Sequence, residues 1–349
     1  MPVQLDSISF YWGANPQTSA LRIRRDFATA IAVPEWTRGG GNEPSAYAIA
    51  QVLAGGNVPQ IQVALSGAEA GEIVTIAAAG NGTPLGDIAA QEVTFDENGA
   101  AVVQMPLANC TIGAQTVGIV NTTWTWTATE GAGQPYPLGQ SIHRSFLTLD
   151  TPSPPWTQNG GTQDPWVTAL EAACAYAQGA GAATAAAGGI TTGINGSGAQ
   201  YNPAPTLFIN NAGTVNVYLT TFLTWRAGGA AYPLTLNCFD CGALVMLLSN
   251  LLGATFWSGK FVNAILGNAL VTLPINGMGT AGWNIWNWRF HEVCWVQFAT
   301  NSQIFDAACR VNQGAPVLPS NMQFDMNYRP QLTNVNVQTS GVAQRYPVQ

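Results

Sequence analysis

The feature of this sequence that most constrains the fold is an apolar run between a helix-start signal and a helix-stop signal. Asn237 is a preferred N-cap residue, and Asp240 follows where a capping-box carboxylate is expected. Gly253 is suited to end the helix. Residues 243–252 are almost entirely apolar, so the pattern predicts a buried helix of about four turns. Such a helix is too short to span a bilayer.

Cys238 occupies the first position of this predicted helix. Free backbone N–H groups and the positive end of the helix dipole favour thiolate over thiol there, as a cysteine nucleophile requires. The carboxylate of Asp240 opposes this effect locally, so electrostatics alone does not decide the matter. The helical register favours Cys238 as the nucleophile and predicts that Cys241 faces inward as a core residue.

The charge of the chain is sparse and uneven. Charged residues make up 8% of the sequence, where about 25% is usual. Residues 1–150 contain 12 acidic and 5 basic side chains, whereas residues 151–349 contain six of each. No basic patch stands out, so nucleic acid is not expected as a partner.

The sequence predicts neither a secretory signal nor a transmembrane segment. Residues 1–20 lack a basic start and an apolar core, so no secretory signal is predicted, and no apolar run is long enough for a transmembrane segment. The six cysteines do not indicate a disulfide framework in a chain of this length. We therefore expect a cytoplasmic protein or one exported by a signal-independent route, as a released effector would be.

The first part of the chain has a β pattern. Short β-branched runs recur with turn-rich pieces between them: 61–65, 73–76, 93–95, 101–105 and 117–120. Residues 96–99 give a hairpin signal, and residues 122–129 alternate apolar and polar side chains. Because no helix intervenes, the pattern predicts an all-β sandwich over residues 1–150 with a binding or accessory role. The proline-rich residues 152–156 are typical of a stiff linker, so we place the domain boundary at 150/151.

The second part mixes helices and strands. A helix is expected after Asp164-Pro165, because proline is favoured at the first helical position. Residues 179–198 indicate either an alanine-rich helix followed by a loop or a mobile segment. The pattern further predicts strands at 207–209, 215–219, 290–298 and 304–308, and a tail on the surface at 315–349.

The second part contains a single histidine, His291, 53 residues after Cys238. Asp306 follows 15 residues later in the next strand-like run. Adjacent antiparallel strands would bring the two side chains together. A cysteine at a helix start, a histidine and a carboxylate suit a thiolate–imidazolium pair whose ring is oriented by the acid.

These residues resemble the transglutaminase-like (papain-like) cysteine enzyme superfamily over about residues 232–311. Residues 238–240 resemble its cysteine motif, which opens a buried helix that ends here at 252–253. His291 with Trp295 resembles the histidine strand of the family, and Asp306 resembles its aspartate strand.

The resemblance implies a multidomain protein with an α+β catalytic domain over residues 151–349. It implies that Cys238 is the nucleophile, His291 the base and acid, and Asp306 the orienting residue. The implied reaction is cysteine-dependent acyl transfer on protein or peptide substrates, as in a transglutaminase, deamidase or protease. The resemblance implies neither a metal nor an organic cofactor.

Three other interpretations stay open. Cys238 and Cys241 with His291 and Cys294 have the spacing of a zinc site. The two cysteines of the first pair also have the spacing of a thioredoxin-like redox pair. Alternatively, Cys238, His291 and Asp306 are unrelated core residues. In the first and last cases the chain would be a non-catalytic adhesion or assembly protein with a zinc-stapled or inactive second domain.

The remaining chemically active side chains have simpler explanations. We expect His143 to be a structural residue at the surface or between domains. Three tryptophans, Trp283, Trp286 and Trp288, line a peptide groove or belong to the packing of the core and its rim. The other cysteines, Cys110, Cys174 and Cys309, are expected to be small buried apolar residues.

Overall fold

The computed structural model describes residues 2–13, 15, 17–53, 56, 58–203, 216–228, 235–311 and 320–349 of the 349-residue chain. The chain forms two compact units. The first consists of Met1–Thr151 with Gln158–Val167, and the second of Pro152–Thr157 with Thr168–Gln349. The sequence suggests a change of domain at 150/151; in the structure the chain changes unit at residue 152 and returns to the first unit for residues 158–167.

The described part of the first unit is almost entirely β-structure. Its helical pieces are α1 (Ile49–Leu53) and a 3₁₀ turn at Ile112–Ala114. Its strands are β1 (Gln4–Ser9), β2 (Trp36–Thr37), β3 (Ser45–Ala48), β4 (Gln60–Ser66), β5 (Ile73–Gly80), β6 (Asp87–Thr94), β7 (Ala100–Ala108), β8 (Gly118–Glu130) and β9 (Tyr136–Thr148).

These strands form one sheet in the order β2-β1-β4-β7-β6-β5-β8-β9-β3. Neighbouring strands are antiparallel except β3 and β9, which run parallel with Ser45 opposite Ser145. The sequence predicts two packed sheets, whereas the hydrogen bonds join the described strands into one sheet that curls around its core.

The strands follow the alternation in the sequence. In β4 the side chains of Ile61, Val63 and Leu65 are buried, and those between them are not. In β8 the buried set includes Trp124 and Trp126, because successive side chains of a strand point to opposite faces. The predicted hairpin at residues 96–99 joins β6 to β7 and is confirmed; the side chain of Asp96 accepts hydrogen bonds from the backbone N–H groups of residues 98 and 100.

The proline-rich segment at 152–156 does not behave as a linker. Its backbone carbonyl at Pro154 accepts a hydrogen bond of 2.8 Å from Asn250 Nδ2. Trp156 is buried and donates its indole N–H to the Leu247 carbonyl at 2.8 Å. The segment therefore belongs to the core of the second unit.

The second unit contains helices and strands around one central helix. The helices in its described part are α2 (Val167–Tyr176), α3 (Ala183–Asn195), α4 (Leu219–Arg226), α5 (Cys238–Leu251) and α6 (Arg329–Leu332), and a π-helical turn covers Phe324–Tyr328. The strands are β10 (Gln200–Tyr201), β11 (Thr235–Leu236), β12 (Trp257–Asn263), β13 (Leu270–Val271), β14 (Asn276–Gly277), β15 (Asn287–Trp288), β16 (His291–Trp295), β17 (Gln303–Asp306), β18 (Cys309–Arg310), β19 (Ser320–Gln323) and β20 (Val337–Gln344).

Helix α5 is the buried helix that the sequence predicts. Every residue from Cys238 to Leu251 is buried. Gly253 follows with a φ of +96°, the left-handed conformation that glycine adopts most easily. The helix packs on α3 and on a five-stranded sheet of order β19-β17-β16-β12-β20. A Cβ atom at Gly242 would lie 3.2 Å from both Ser258 Oγ and the Val293 backbone, so glycine permits the close approach of the helix to the sheet.

The segment predicted as a surface tail is part of this sheet. Strand β19 pairs with β17, and β20 pairs with β12. Between them, Phe324 and Tyr328 are fully buried. The prediction of a surface tail at 315–349 is therefore wrong for β19 and β20, which complete both edges of the sheet, although the side chains of β20 are exposed or half-buried.

Two further expectations have different outcomes. The strand predicted at 215–219 is not formed over its described part, since Val217 makes only an isolated bridge to Val348 and helix α4 begins at Leu219. The strand predicted at 207–209 lies outside the described residues. Over the part of the chain that the structure describes, no helix combines the length and apolar character needed to cross a membrane.

The stability of the second unit should depend on α5. Replacing Leu244 by alanine should lower the free energy of unfolding by about 2–5 kcal/mol, because the side chain is fully buried and its removal leaves a cavity. Urea unfolding measures the change. The matched control is Leu266→Ala, whose side chain is 95% exposed and which should leave the free energy of unfolding unchanged. Equal effects of the two substitutions would contradict the placement of α5.

Candidate active site

The N-terminus of α5 is fixed by a capping box. The backbone N–H of Asp240 donates to Asn237 Oδ1 at 3.0 Å, and the backbone N–H of Asn237 donates to Asp240 Oδ2 at 3.2 Å. Both side chains are buried. Cys238 is the first helical residue and is 7% exposed. The capping box therefore fixes the direction in which the Cys238 side chain leaves the helix.

His291 and Asp306 lie on neighbouring antiparallel strands, β16 and β17, whose register places Cys294 opposite Phe305. The ring Nε2 of His291 lies 2.9 Å from Asp306 Oδ2. Both side chains are buried. An ionised carboxylate only accepts hydrogen bonds, so the ring donates its Nε2 proton.

Asp306 accepts hydrogen bonds from three further donors besides His291. Oδ2 also accepts hydrogen bonds from the Tyr328 hydroxyl at 2.6 Å and from the Cys309 thiol at 2.9 Å. Oδ1 accepts one from the backbone N–H of Ala308 at 2.8 Å. These four donors fix the carboxylate in place and satisfy its charge away from water.

Burial and charge act against each other in this pair. Burial raises the pKa of Asp306, but the charge and hydrogen bond of His291 outweigh it, so the net pKa lies below the usual value for an aspartate. Burial likewise lowers the pKa of His291, but the charges of Asp306 and Cys238 outweigh it and hold the pKa well above the usual value for histidine. Both directions favour an imidazolium paired with a carboxylate.

Cys238 lies close to the ring of His291. Nδ1 of His291 makes no hydrogen bond to the described residues in the resting geometry. Cys238 is among the groups that raise the pKa of His291, so its sulfur lies close to the ring. Because Nε2 is bonded to Asp306, Nδ1 is the ring nitrogen left to interact with the sulfur. The structure thus brings together the three side chains that the sequence singles out.

Aromatic side chains enclose the ring of His291. Trp288 stacks on it with ring centroids 4.3 Å apart and planes 8° from parallel, and Phe261 meets it edge-on at 5.5 Å. Tyr201 meets Trp288 and Trp286 edge-on. Of the three tryptophans considered as groove residues, Trp288 is thus a wall of the site, Trp286 lies beside Tyr201, and Trp283 is only partly buried.

Three residues of the site were not found from the sequence. Tyr328 lies in a stretch without helical or strand periodicity. The sequence predicts an apolar core position for Cys309, which lies only three positions after Asp306 and donates to it in the structure. Tyr201 faces the site: burial, followed by the charges of Cys238 and Cys309, raises the pKa of its hydroxyl. Of these three residues, only Cys309 has a sequence signal that would place it in the site, namely its position three residues after Asp306.

The zinc site suggested by sequence spacing is not assembled. Cys238, Cys241, His291 and Cys294 do not form a cluster of ligand atoms within the described residues. Burial raises the pKa of both Cys241 and Cys294, so both remain thiols in the core. The expectation that Cys241 faces inward agrees with its complete burial.

His143 lies far along β9 of the first unit and is 1% exposed, so the predicted surface position is wrong. Its Nε2 is 2.7 Å from Ser141 Oγ, and its ring contacts Phe10 and Trp124. Burial lowers its pKa to about 3, so the ring is neutral at neutral pH. Of the remaining cysteines, Cys174 is buried and Cys110 is half-buried.

A second carboxylate lies next to His291 in β16. Glu292 is fully buried, and its Oε1 accepts hydrogen bonds from Ser258 Oγ at 2.7 Å and from the Tyr346 hydroxyl at 2.8 Å. The Lys260 ammonium is 3.9 Å from its Oε2 and lies over the ring of Phe239, the neighbour of Cys238. Burial raises the pKa of Glu292 to about 7, and the hydrogen bonds and Lys260 only partly offset it.

A comparison with protein-family models and with curated proteins finds no family and no relative that matches the chain.

The raised pKa of Glu292 should make the second unit less stable as the pH rises. An unfolded glutamate ionises near pH 4.5 and the folded one near pH 7, so the native state binds the extra proton between these values. The free energy of unfolding should fall across this interval by up to about 3 kcal/mol. In Glu292→Gln this part of the decline should disappear, as measured by urea unfolding at several pH values.

The matched control is Glu97→Gln, at an exposed position of the first unit, which should keep the decline of the wild-type protein. A decline of the same size in Glu292→Gln would show that another group causes it.

Proposed function

We propose that the protein is a cysteine-dependent acyltransferase or hydrolase that acts on a carboxamide or peptide bond through Cys238, His291 and Asp306. The observation that carries the proposal is the buried hydrogen bond of 2.9 Å between His291 Nε2 and Asp306 Oδ2. It leaves the second ring nitrogen without a hydrogen-bond partner among the described residues, so that it can interact with the cysteine at the start of α5. A buried histidine and a buried aspartate need such a pairing. A packed core alone does not explain why a thiol lies beside the pair.

In the proposed reaction, the Cys238 thiolate attacks the carbonyl carbon of the substrate. His291 gives the proton at Nδ1 to the leaving amine, and a thioester with Cys238 forms. Water or a second amine then loses a proton to Nδ1 as it attacks the thioester, and the sulfur leaves as a thiolate, which restores the thiolate–imidazolium pair. Asp306 keeps the ring in one orientation and stabilises its positive charge throughout.

The oxyanion of the tetrahedral intermediate needs hydrogen-bond donors. The backbone N–H of Cys238, at a helix N-terminus, is one candidate donor. The hydroxyl of Tyr201 is a second candidate, because burial and then the charge of Cys238 raise its pKa, which keeps it protonated. Donors that are in place before substrate arrives stabilise the developing charge without reorganisation.

The fold supports this proposal at the level of its parts. A transglutaminase-like α+β domain requires a capped helix that begins with the nucleophile. This helix must pack on antiparallel strands that carry the histidine and the acid. The first unit is a curled nine-stranded sheet. We assign substrate presentation to the first unit and catalysis to the second, with a protein or peptide as the substrate.

Alkylation by iodoacetamide tests the nucleophile. Cys238 should react faster than Cys110, although Cys110 is the more exposed thiol, because burial raises the pKa of Cys110 while Cys238 faces an imidazolium. In His291→Ala the rate at Cys238 should fall about tenfold, because an unassisted thiol is only a few per cent thiolate at neutral pH. Mass spectrometry of peptides gives the rate at each cysteine.

Cys110 is the internal control, since its rate should be the same in the wild type and in His291→Ala. Faster labelling of Cys110 than of Cys238 in the wild type, or no change at Cys238 in the variant, would contradict the proposed pair.

Acyl transfer itself is tested with p-nitrophenyl acetate. The wild type should release one equivalent of nitrophenolate in a burst and then turn over slowly, because the thioester forms faster than it hydrolyses. Cys238→Ala should show no burst, and Cys110→Ser should behave like the wild type. Glutamine-containing peptides incubated with both proteins then separate deamidation, cross-linking and cleavage by their different mass changes.

A further inference from the structure

The site contains a group of metal-type ligands, of which the proposed reaction uses two, His291 and Asp306, and leaves Cys309 without a chemical role. Among the residues that the structure describes, His291, Asp306 and Cys309 form the one set of three or more such side chains with ligand atoms all within 4.8 Å of one another. All three side chains are buried. Oδ2 of Asp306 lies between the other two atoms, 2.9 Å from His291 Nε2 and 2.9 Å from Cys309 Sγ.

The chemistry of this set favours zinc. One sulfur, one imidazole nitrogen and one carboxylate oxygen suit Zn²⁺, whereas Mg²⁺ and Ca²⁺ prefer oxygen ligands alone. Ligands at about 2.0–2.3 Å from a tetrahedral ion are about 3–4 Å apart, so the separations in this set, from 2.9 Å to at most 4.8 Å, need only small adjustments. The outer contacts are also present, because Tyr328 and the Ala308 N–H hold the carboxylate and Trp288 stacks on the ring.

We propose that Zn²⁺ binds to His291 Nε2, Asp306 Oδ2 and Cys309 Sγ, with water as the fourth ligand, and that bound zinc inhibits the enzyme. The site differs from the one that the sequence spacing suggests, because it takes neither cysteine from the start of α5. Binding can be tested by itself, whereas inhibition rests on the proposed function.

Zinc replaces two protons in this site. The Cys309 thiol and the Nε2 position of the imidazolium each lose one, and both protons go to solvent. The carboxylate exchanges two hydrogen bonds for one bond to the metal. Burial raises the pKa of the Cys309 thiol to about 12, and a coordinated zinc ion overcomes this by deprotonating the thiol outright.

Inhibition follows from the ring nitrogens. A neutral ring bound to zinc at Nε2 carries its one remaining proton at Nδ1, the nitrogen left to interact with Cys238. That nitrogen then has no free lone pair for a proton from water or an amine, so the thioester cannot be hydrolysed or aminolysed with the help of His291. Asp306 is engaged with the metal and no longer stabilises an imidazolium.

Calorimetric titration of the full-length, EDTA-treated protein with zinc chloride tests binding. We expect one zinc ion per chain, and an affinity at least about tenfold lower in Cys309→Ser. X-ray absorption at the zinc edge of the wild type should show one sulfur ligand with nitrogen or oxygen ligands. Cobalt(II) should give a thiolate charge-transfer band in the wild type, which tests the site without any substitution.

Two matched controls remove other thiols. Cys110→Ser removes a more exposed thiol of the first unit, and Cys241→Ser removes a thiol of the pair in α5. Both variants should bind zinc with the affinity of the wild type. Two sulfur ligands per zinc, no binding by the wild type, or undiminished binding by Cys309→Ser would overturn the proposed site.

Inhibition is measured as the ratio of the turnover rates of p-nitrophenyl acetate with and without one equivalent of zinc. Turnover by the wild type should fall at least about tenfold and return with EDTA, while the ratio for Cys309→Ser stays near one at the same zinc concentration. Zinc binding without inhibition would overturn the second half of the proposal. Absence of a burst in zinc-free protein would instead count against the proposed function and leave the zinc site standing.

Discussion

The second unit depends on the burial of one helix whose start is held by polar groups. Helix α5 has no exposed face, so it forms only where α3 and the five-stranded sheet surround it. A buried helix start has backbone N–H groups that water cannot reach, and the reciprocal bonds of Asn237 and Asp240 satisfy two of them. The same constraint fixes Cys238 against His291. The position of the sulfur is therefore a result of the packing of the whole unit and does not rest on one local contact.

The carboxylate of Asp306 is the electrostatic centre of the site. Four donors from three different segments converge on it, and two of them, Tyr328 and Cys309, have no counterpart in a minimal triad. Their effect is to keep Asp306 ionised inside the protein, and an ionised Asp306 in turn keeps His291 protonated. The nitrogen, oxygen and sulfur atoms that lie close together here are also ligands that zinc prefers. The side chains that stabilise the ion pair therefore also form the proposed zinc site.

Local signals in the sequence were sufficient for the parts of the fold that short-range chemistry determines. The cap at Asn237, the stop at Gly253 and the alternation around Trp124 gave the right elements, and the strands carrying His291 and Asp306 are adjacent and antiparallel as expected. Contacts between distant segments were not accessible. The parallel pairing of β3 with β9 joins residues 100 positions apart, and the hydroxyl of Tyr328 comes from a stretch whose π-helical turn has no apolar period. Residues 315–349 are rich in proline, asparagine and glutamine, and this composition does not indicate strands β19 and β20.

The order of segments along the chain has a consequence for biosynthesis. Tyr328 and Tyr346, which donate to Asp306 and Glu292, follow the three proposed reactive side chains in sequence. A ribosome that adds about 5–20 residues per second needs about 2–8 seconds to translate from Asp306 to Tyr346. During that time the nascent polypeptide contains the sulfur, the imidazole and the acid without the hydroxyls that hold the two carboxylates. Assembly of the site is thus delayed relative to the synthesis of its reactive groups.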